Sequence, residues 1–384
     1  MPGLPSVLLF LTTNGRSMYL RKLNLLNFKT YQELDIELSP KLNCFVGNNG
    51  VGKTNLFDSI YYLAFCKSCF NSQDANNISH SSDFFMIQGE FMIDGEVERI
   101  QCALKKDQKK KIRRNEKEYS KLADHIGLIP LVMVSPSDTS LILEGSEERR
   151  RYMNGVISQY DRQYLDDVIR YNKALTQRNR LLKEFSRQRY FDEDSLFIWD
   201  DQLSLLGERI YERRKDFISR LLPIFQYYYD YISSGHEQVE LKYLTQAGDR
   251  PLADLMRDAQ DKDKQLQFTS IGIHKDDLLL ELSGYPMKQQ GSQGQQKTYL
   301  VALKMAQYDF LKKISNVRPL ILLDDVFDKL DASRVTQIIK LVSEDHFGQI
   351  FITDTNLQHL QSILSGLTVE YRMFRVTDGH INLV

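Results

Sequence analysis

The run Gly47-Asn48-Asn49-Gly50-Val51-Gly52-Lys53-Thr54 constrains this chain more than any other feature. Apolar Leu42-Asn43-Cys44-Phe45-Val46 leads into it, and Leu56, Ile60, Leu63 and Ala64 leave it at helical spacing. The chain must pass from strand to helix through a tight glycine turn. Consecutive backbone N–H groups in such a turn converge on phosphate oxygens, and the helix N-terminus adds a favourable dipole. Lys53 is expected to reach the β- and γ-phosphates of ATP, and Thr54 to place its hydroxyl on Mg²⁺. The alternative is a glycine turn that binds nothing. All fixed positions of the motif match in the strand-to-helix context, which favours the phosphate loop.

A magnesium site needs a hard oxygen ligand held rigidly beside that loop. Pro319-Leu320-Ile321-Leu322-Leu323-Asp324-Asp325 supplies it, because a buried strand ends badly in two carboxylates unless the charges have a partner. Asp324 is the expected Mg²⁺ ligand, and Asp325 the group that orients the attacking water. A third segment, Gly291-Ser292-Gln293-Gly294-Gln295-Gln296-Lys297, precedes Leu300, Val301, Leu303 and Met305 at helical spacing. It reads as a helix start presenting the Ser292 hydroxyl and the Gly294 amide beside a positive dipole end. One γ-phosphate rarely needs two such helices from one chain, so this surface is expected to meet ATP held by a second copy. A merely capped, solvent-facing helix is the competing reading.

Composition removes several classes of function. With 42% apolar and 26% charged residues the chain is globular, and its net charge of -1 gives no whole-molecule attraction to nucleic acid. No apolar run approaches bilayer length, so no membrane role is expected. Four cysteines (Cys44, Cys66, Cys69, Cys102) suit a reducing cytoplasm; Cys66 and Cys69 read as two buried helix positions rather than a metal or redox pair.

The expected fold is α/β, an ATPase head with an inserted helical lobe. Residues 1–17 lack the basic start of a secretory signal and read as a disordered extension or start-site artefact, because patterned sequence begins at Met18. Residues 18–145 form the first part of the head, with strands over 18–27 and 34–38 and hairpins between 84 and 134. Residues 146–240, rich in Leu, Arg, Gln, Glu and Tyr, form the helical insertion, and 241–384 return to the head. Tyr227, Tyr228, Tyr229 and Tyr231 read as packing rather than a base-stacking platform.

Taken in order, the phosphate loop, the Ser-x-Gly-Gln-Gln segment, the Leu-Leu-Asp-Asp strand and Leu330-Asp331 resemble the SMC branch of ABC-type ATPases. Asn27-Phe28-Lys29-Thr30-Tyr31, Asn48-Asn49-Gly50, Ser135-Pro136 and His274-Lys275-Asp276-Asp277 narrow the resemblance, from Met18 onward, to the RecF family. It implies a slow DNA-dependent ATPase of replication and recombinational repair that dimerises with ATP on double-stranded or gapped DNA. RecR and RecO are its implied partners in loading RecA. Ser292, Gly294 and Gln295 would then contact ATP in the opposite copy, and Asp331 would lie across the dimer interface. Family members commonly carry proline and arginine where Ile273 and Lys275 stand, and ABC relatives carry glutamate at the position of Asp325. Thr353 or Asp354 occupies the strand end where many transporters place a switch histidine, and no glutamine near Ser135 fills the lobe-joining role.

The basic run Lys105, Lys106, Lys109, Lys110, Lys111, Arg113 and Arg114 is the expected DNA surface, able to neutralise phosphates without reading bases. By itself the run fits a solvated hairpin equally well. Arg149, Arg150 and Arg151 form a weaker candidate, expected to pair partly with Glu147 and Glu148. The alternative function is a structural SMC-like DNA-bridging ATPase, disfavoured by an insertion without sustained heptads.

Overall fold

The computed structural model describes residues 15–235, 237–327, 332–343, 346–364 and 370–384. In chain order come β1 (Met18–Phe28), β2 (Tyr31–Glu37), β3 (Leu42–Val46), α1 (Lys53–Phe65), β4 (Phe84–Ile93), β5 (Glu96–Lys105), β6 (Lys111–Arg114), β7 (Lys117–Glu118) and β8 (Leu131–Val134). The middle of the chain forms α2 (Ser146–Ile157), α3 (Arg162–Gln188), α4 (Glu193–Ser233), β9 (Val239–Leu244), α5 (Leu252–Asp258), α6 (Gln260–Leu266), β10 (Asp277–Leu282) and β11 (Tyr285–Pro286). It closes with α7 (Gln293–Ser315), β12 (Leu320–Leu323), α8 (Ala332–Ser343), β13 (Ile350–Asp354), α9 (Leu357–Leu364), β14 (Tyr371–Thr377) and β15 (His380–Leu383).

Two compact units result. One comprises Met1–Thr139, Ile224–His236 and Ser292–Val384, the other Ser140–Pro223 and Glu237–Gly291. The second unit is therefore longer than the expected insertion of 146–240. The reason lies in β9, β10 and β11, which pair antiparallel with one another. Their buried Val239, Leu241, Leu278 and Leu280 share a core with the helices, β10 lying against α2 and α6 against α3.

In the first unit a six-stranded sheet runs in the order β15-β14-β3-β13-β12-β8. It is parallel from β14 to β8, and β15 alone is antiparallel. Every residue of β3, β8, β12 and β13 is buried, as expected of parallel strands covered on both faces. Phe45 stacks on Phe374 at 4.9 Å, and Phe57 of α1 meets the edges of Phe45 and Phe351 at 6.1 and 6.3 Å. This clamps the helix after the phosphate loop onto the sheet that carries the loop. A second, antiparallel sheet, β2-β1-β4-β5-β6-β7, realises the expected hairpins. Its alternate residues Leu23, Leu25, Phe85, Ile87, Ile100 and Cys102 turn into the same core.

Two expectations are revised, and a third falls outside the described residues. The Arg16 amide donates to the Asn316 carbonyl at 2.8 Å and Arg16 accepts from Arg318 at 3.2 Å, so 15–17 run beside 316–318; residues 1–14 lie outside the described residues. Cys66 caps the C-terminus of α1 at a φ of 55°, but Cys69 lies beyond the helix and is exposed. Asp331 lies outside the described residues. The tyrosines follow expectation: Tyr228 and Tyr229 are buried, Tyr228 donates to Asp309 at 2.5 Å, and Tyr229 meets Tyr299 edge-on at 6.2 Å.

Inside the second unit the segment His274-Lys275-Asp276-Asp277 is structural. Buried Arg214 donates to Asp276 at 2.8 Å, to the Ile273 carbonyl at 2.9 Å and to the Tyr164 hydroxyl at 3.1 Å, while Thr245 and Tyr243 also donate to Asp276. Arg149 binds Asp277 through two hydrogen bonds, 2.6 and 3.0 Å long. Arg150 reaches the Asp276 carbonyl at 2.7 Å, and Arg151 pairs with Glu147 and Glu148 as expected. His274 donates from Nε2 to the Thr269 carbonyl at 3.0 Å and accepts at Nδ1 from Tyr171 at 2.9 Å. Burial draws its pKa down to about 4.

Replacing Arg214 with Met is expected to destabilise the second unit by about 3–5 kcal/mol, because the Asp276 charge is left buried without its cation. Urea unfolding followed by the fluorescence of Trp199, the single tryptophan, reads this directly. The neutral His274 contributes stability that is fully present above the unfolded value of 6.5 and is lost as pH falls from there towards about 4. The loss amounts to about 3 kcal/mol. The urea midpoint should therefore drop between neutral and acidic buffer, and drop less in a His274→Gln chain.

Candidate nucleotide-binding site

The phosphate loop lies at the carboxyl end of β3, between the ends of β13 and β14, where ligands bind in open parallel sheets. Gly47 packs so closely that an added Cβ would fall 2.3 Å from the Val376 carbonyl oxygen. Gly52 has a φ of +113° and the hydroxyl of Thr30 at its back, where a Cβ would come within 2.8 Å. Glycine is required at both places. The motif around Lys29 buttresses the loop: Tyr31 donates to the Gly52 carbonyl at 2.9 Å, Asn55 donates to Thr30 at 3.1 Å, and Lys29 pairs with buried Asp58 at 2.6 Å.

Helix α1 has no side-chain cap, so its first N–H groups are left for a ligand. Lys53 folds over the loop and donates to the carbonyls of Gly47 at 2.5 Å and Asn48 at 2.8 Å, while Asn48, Asn49 and Gly50 are exposed and Val51 half-buried. Burial pulls the Lys53 ammonium down, and Asp325, Asp324 and Asp354 oppose that pull.

Asp324 is 3% exposed and bridges two threonines. Thr54 donates to its Oδ2 at 2.8 Å and Thr353 donates to its Oδ1 at 2.8 Å. The Thr353 oxygen also accepts from the Asp325 amide at 2.8 Å, and the Asp324 amide donates to the Val134 carbonyl at 2.8 Å. Burial pushes the Asp324 carboxyl up, and the two threonine hydrogen bonds counter it. A hydroxyl and a carboxylate in contact are hard oxygen donors of the kind Mg²⁺ accepts, so the residues fit that ion. Asp325 follows in the left-handed region at a φ of 50°, and its carbonyl accepts from Lys297 at 3.3 Å.

The positioning role of Thr353 escapes sequence reasoning, which treats it as a stand-in for a switch histidine. Its one signal is a hydroxyl directly after the apolar run Ile350-Phe351-Ile352.

Ser292 is the exposed N-cap of α7. Its Oγ accepts from the Gln295 amide at 3.2 Å, and Gln295 Oε1 accepts from the Ser292 amide at 2.9 Å, a reciprocal capping box. The box uses lone pairs of the Ser292 oxygen and leaves its O–H to donate. Gly294 faces Arg334, whose Nη1 would lie 3.0 Å from an added Cβ.

The basic run divides. Lys105, Lys106, Lys109, Lys111 and Arg113 are exposed. Lys110 instead pairs with Asp74 at 2.8 Å and donates to the Cys66 carbonyl at 2.6 Å, and Arg114 makes two hydrogen bonds to Glu98, 2.8 and 2.7 Å long. The strand alternation of β6 turns Ile112 and Arg114 to one face and Lys111 and Arg113 to the other, which sequence density alone conceals.

Thr353→Val preserves shape but strands the Asp325 amide and one oxygen of Asp324. The expected cost is about 1–3 kcal/mol, read as a lowered calorimetric unfolding temperature, whereas Thr353→Ser should recover most of it.

The chain matches the RecF/RecN/SMC N-terminal domain family over residues 19–382. It is 52% identical over 366 residues to the DNA replication and repair protein RecF of Phocaeicola vulgatus, covering 95% of this chain and 98% of the relative. To the Flavobacterium johnsoniae protein of the same name it is 46% identical over 359 residues, with 94% and 100% covered. A solved structure of the recombination mediator protein RecF with ATP, in the RecFOR pathway, superposes with a TM-score of 0.87 at 28% identity, covering 96% of this chain and 98% of that one. The Smc head domain of Pyrococcus furiosus shares the fold, at a TM-score of 0.56 and 17% identity over 96% of each chain. By the extent of the family match and the identity to its curated members, the chain belongs to the RecF family of DNA replication and repair proteins.

Proposed function

We propose that this chain is an ATP-gated DNA clamp, in which ATP is held between the phosphate loop of one copy and the Ser292 surface of another. The observation that carries the reading is the contrast between two helix N-termini of the first unit. That of α1 is uncapped beside Lys53, whereas that of α7 carries an exposed serine whose O–H can still donate. Gly47 to Thr54 would cradle the phosphates, with Lys53 leaving the Gly47 and Asn48 carbonyls for the β- and γ-oxygens. Thr54 and Asp324 would hold Mg²⁺, which supplies charge neutralisation at the phosphates. Asp325 would orient water, and its short side chain favours slow turnover, so nucleotide occupancy rather than flux sets the state. The names of the relatives support a role in replication and repair, and the RecFOR pathway of the solved structure supports RecR and RecO as partners in RecA loading.

Duplex or gapped DNA would meet Lys105, Lys106, Lys109, Lys111 and Arg113, without Lys110 and Arg114, which are committed to Asp74 and Glu98. No described helix is long and apolar enough to cross a membrane, and the four described cysteines are free.

Lys53→Ala is expected to abolish ATP binding. Ser292→Arg should leave ATP binding intact but prevent the ATP-dependent doubling of mass in light scattering. A mass that still doubles in Ser292→Arg would sink the two-copy site.

A further inference from the structure

We infer that α3 of the second unit carries its own contact surface for the phosphate backbone of duplex DNA. The inference rests on the proposed DNA-binding role and adds a surface that the basic hairpin does not include.

The buried residues Tyr164, Val168, Tyr171, Ala174, Arg178 and Leu182 set the phase of this 27-residue helix. The opposite face presents Arg170, Lys173, Arg180, Lys183 and Arg187, all exposed, and exposed Arg189 follows at the C-cap. Between residues 169 and 190 there are thus six exposed cations against one acid, Glu184. Lys173, Arg180 and Arg187 recur every seventh residue and therefore stack along one line, about 10 Å apart. From Arg170 to Arg187 the row spans about 25 Å.

The charges are not consumed inside the molecule. Arg170 has Asp166 at 3.7 Å, with both side chains more than half exposed, and such a pair contributes little. Glu184 accepts from Gln188 at 3.1 Å. Among the described residues Lys173, Arg180, Lys183 and Arg187 enter no ion pair. Like charges three and four residues apart, as at Arg180, Lys183 and Arg187, oppose the helix that carries them. The row costs a little local stability, which a bound polyanion would offset.

Several features select a duplex. The row is straight and extends over tens of ångströms, and a duplex offers a phosphate about every 1.7 Å of its axis. Along the helix itself the charged face carries no aromatic side chain, and exposed Tyr190 beyond the C-cap is a single ring rather than a stacking platform, so backbone contact is favoured over single-strand capture. A second copy of the chain is disfavoured, since a self-complementary contact would set the row against its own charges.

The test uses the full chain with Lys173, Arg180 and Arg187 all changed to Gln, and fluorescence anisotropy with a blunt duplex across a salt series of about 50 to 200 mM. Losing three phosphate contacts should flatten the log–log salt slope by about 2 to 3 and weaken low-salt affinity by roughly tenfold or more. ATP binding should not move, and the Trp199 unfolding curve should stay in place or shift slightly to higher urea as the like-charge repulsion is relieved. The charge-keeping variant Lys173→Arg, Arg180→Lys, Arg187→Lys should bind as the parent does. A Lys105, Lys109 and Lys111→Gln chain is run beside them. If only that hairpin variant weakens, the α3 inference is overturned and the DNA reading stands. If the parent chain itself fails to bind duplex, the DNA reading falls and takes the inference with it. Poly-L-glutamate serves as the other polyanion: a loss towards it with duplex binding unchanged would give the face to an acidic protein and overturn the inference.

Discussion

Asp324 is the point on which the first unit depends. A carboxylate this deeply buried is tolerable only where donors surround it, and here two come from different elements, Thr54 from α1 and Thr353 from β13, while its own amide is tied to β8. One residue therefore registers the phosphate-loop helix against the sheet, its carboxylate reaching α1 and β13 and its backbone amide reaching β8. The same hydroxyl of Thr353 holds the Asp325 amide, so the two acids at the end of β12 are placed together. The cluster sets a hydroxyl and a carboxylate in contact beside the phosphate loop.

The second unit solves a related problem with the opposite charge. Arg178 and Arg214 are fully buried, Arg178 matched to Asp200 and Asp263 and Arg214 to Asp276, all brought from other parts of the chain. Such networks add little net stability over apolar packing, but removing one member is expensive, which pins a single arrangement of helices and sheet. Asp276, His274 and Tyr243 belong to that frame. The charged motif His274-Lys275-Asp276-Asp277 is thus largely spent on holding α4 and the three-stranded sheet together.

Much of the first unit is legible from residue order because its signals are local. Glycines at a strand-to-helix junction, an apolar run ending in two acids, and alternating hairpins each specify backbone over a few residues, and β1 to β8, α1, α7 and β12 follow accordingly. The extent of the second unit is not legible in the same way. Beyond residue 240 the chain returns to strands, which resembles a return to the head, yet β9 to β11 bury their apolar faces with the helices before them. A local pattern names an element but not its neighbour.

The basic residues show the same division. Charge density along the chain identifies a hairpin rich in lysine and arginine, but pleat and pairing decide that Lys110 and Arg114 are consumed while Lys111 and Arg113 face outward. On α3 the cations are diluted along the sequence and align only when the helix winds them onto one face. By itself the sequence determined the phosphate loop, the acid-ended strand and the capped helix start, because each is a short-range demand on backbone and charge. The tertiary structure alone decided that Thr353 clasps Asp324, that the second unit runs to Gly291, and which cations remain exposed, because those depend on which distant groups burial brings into contact.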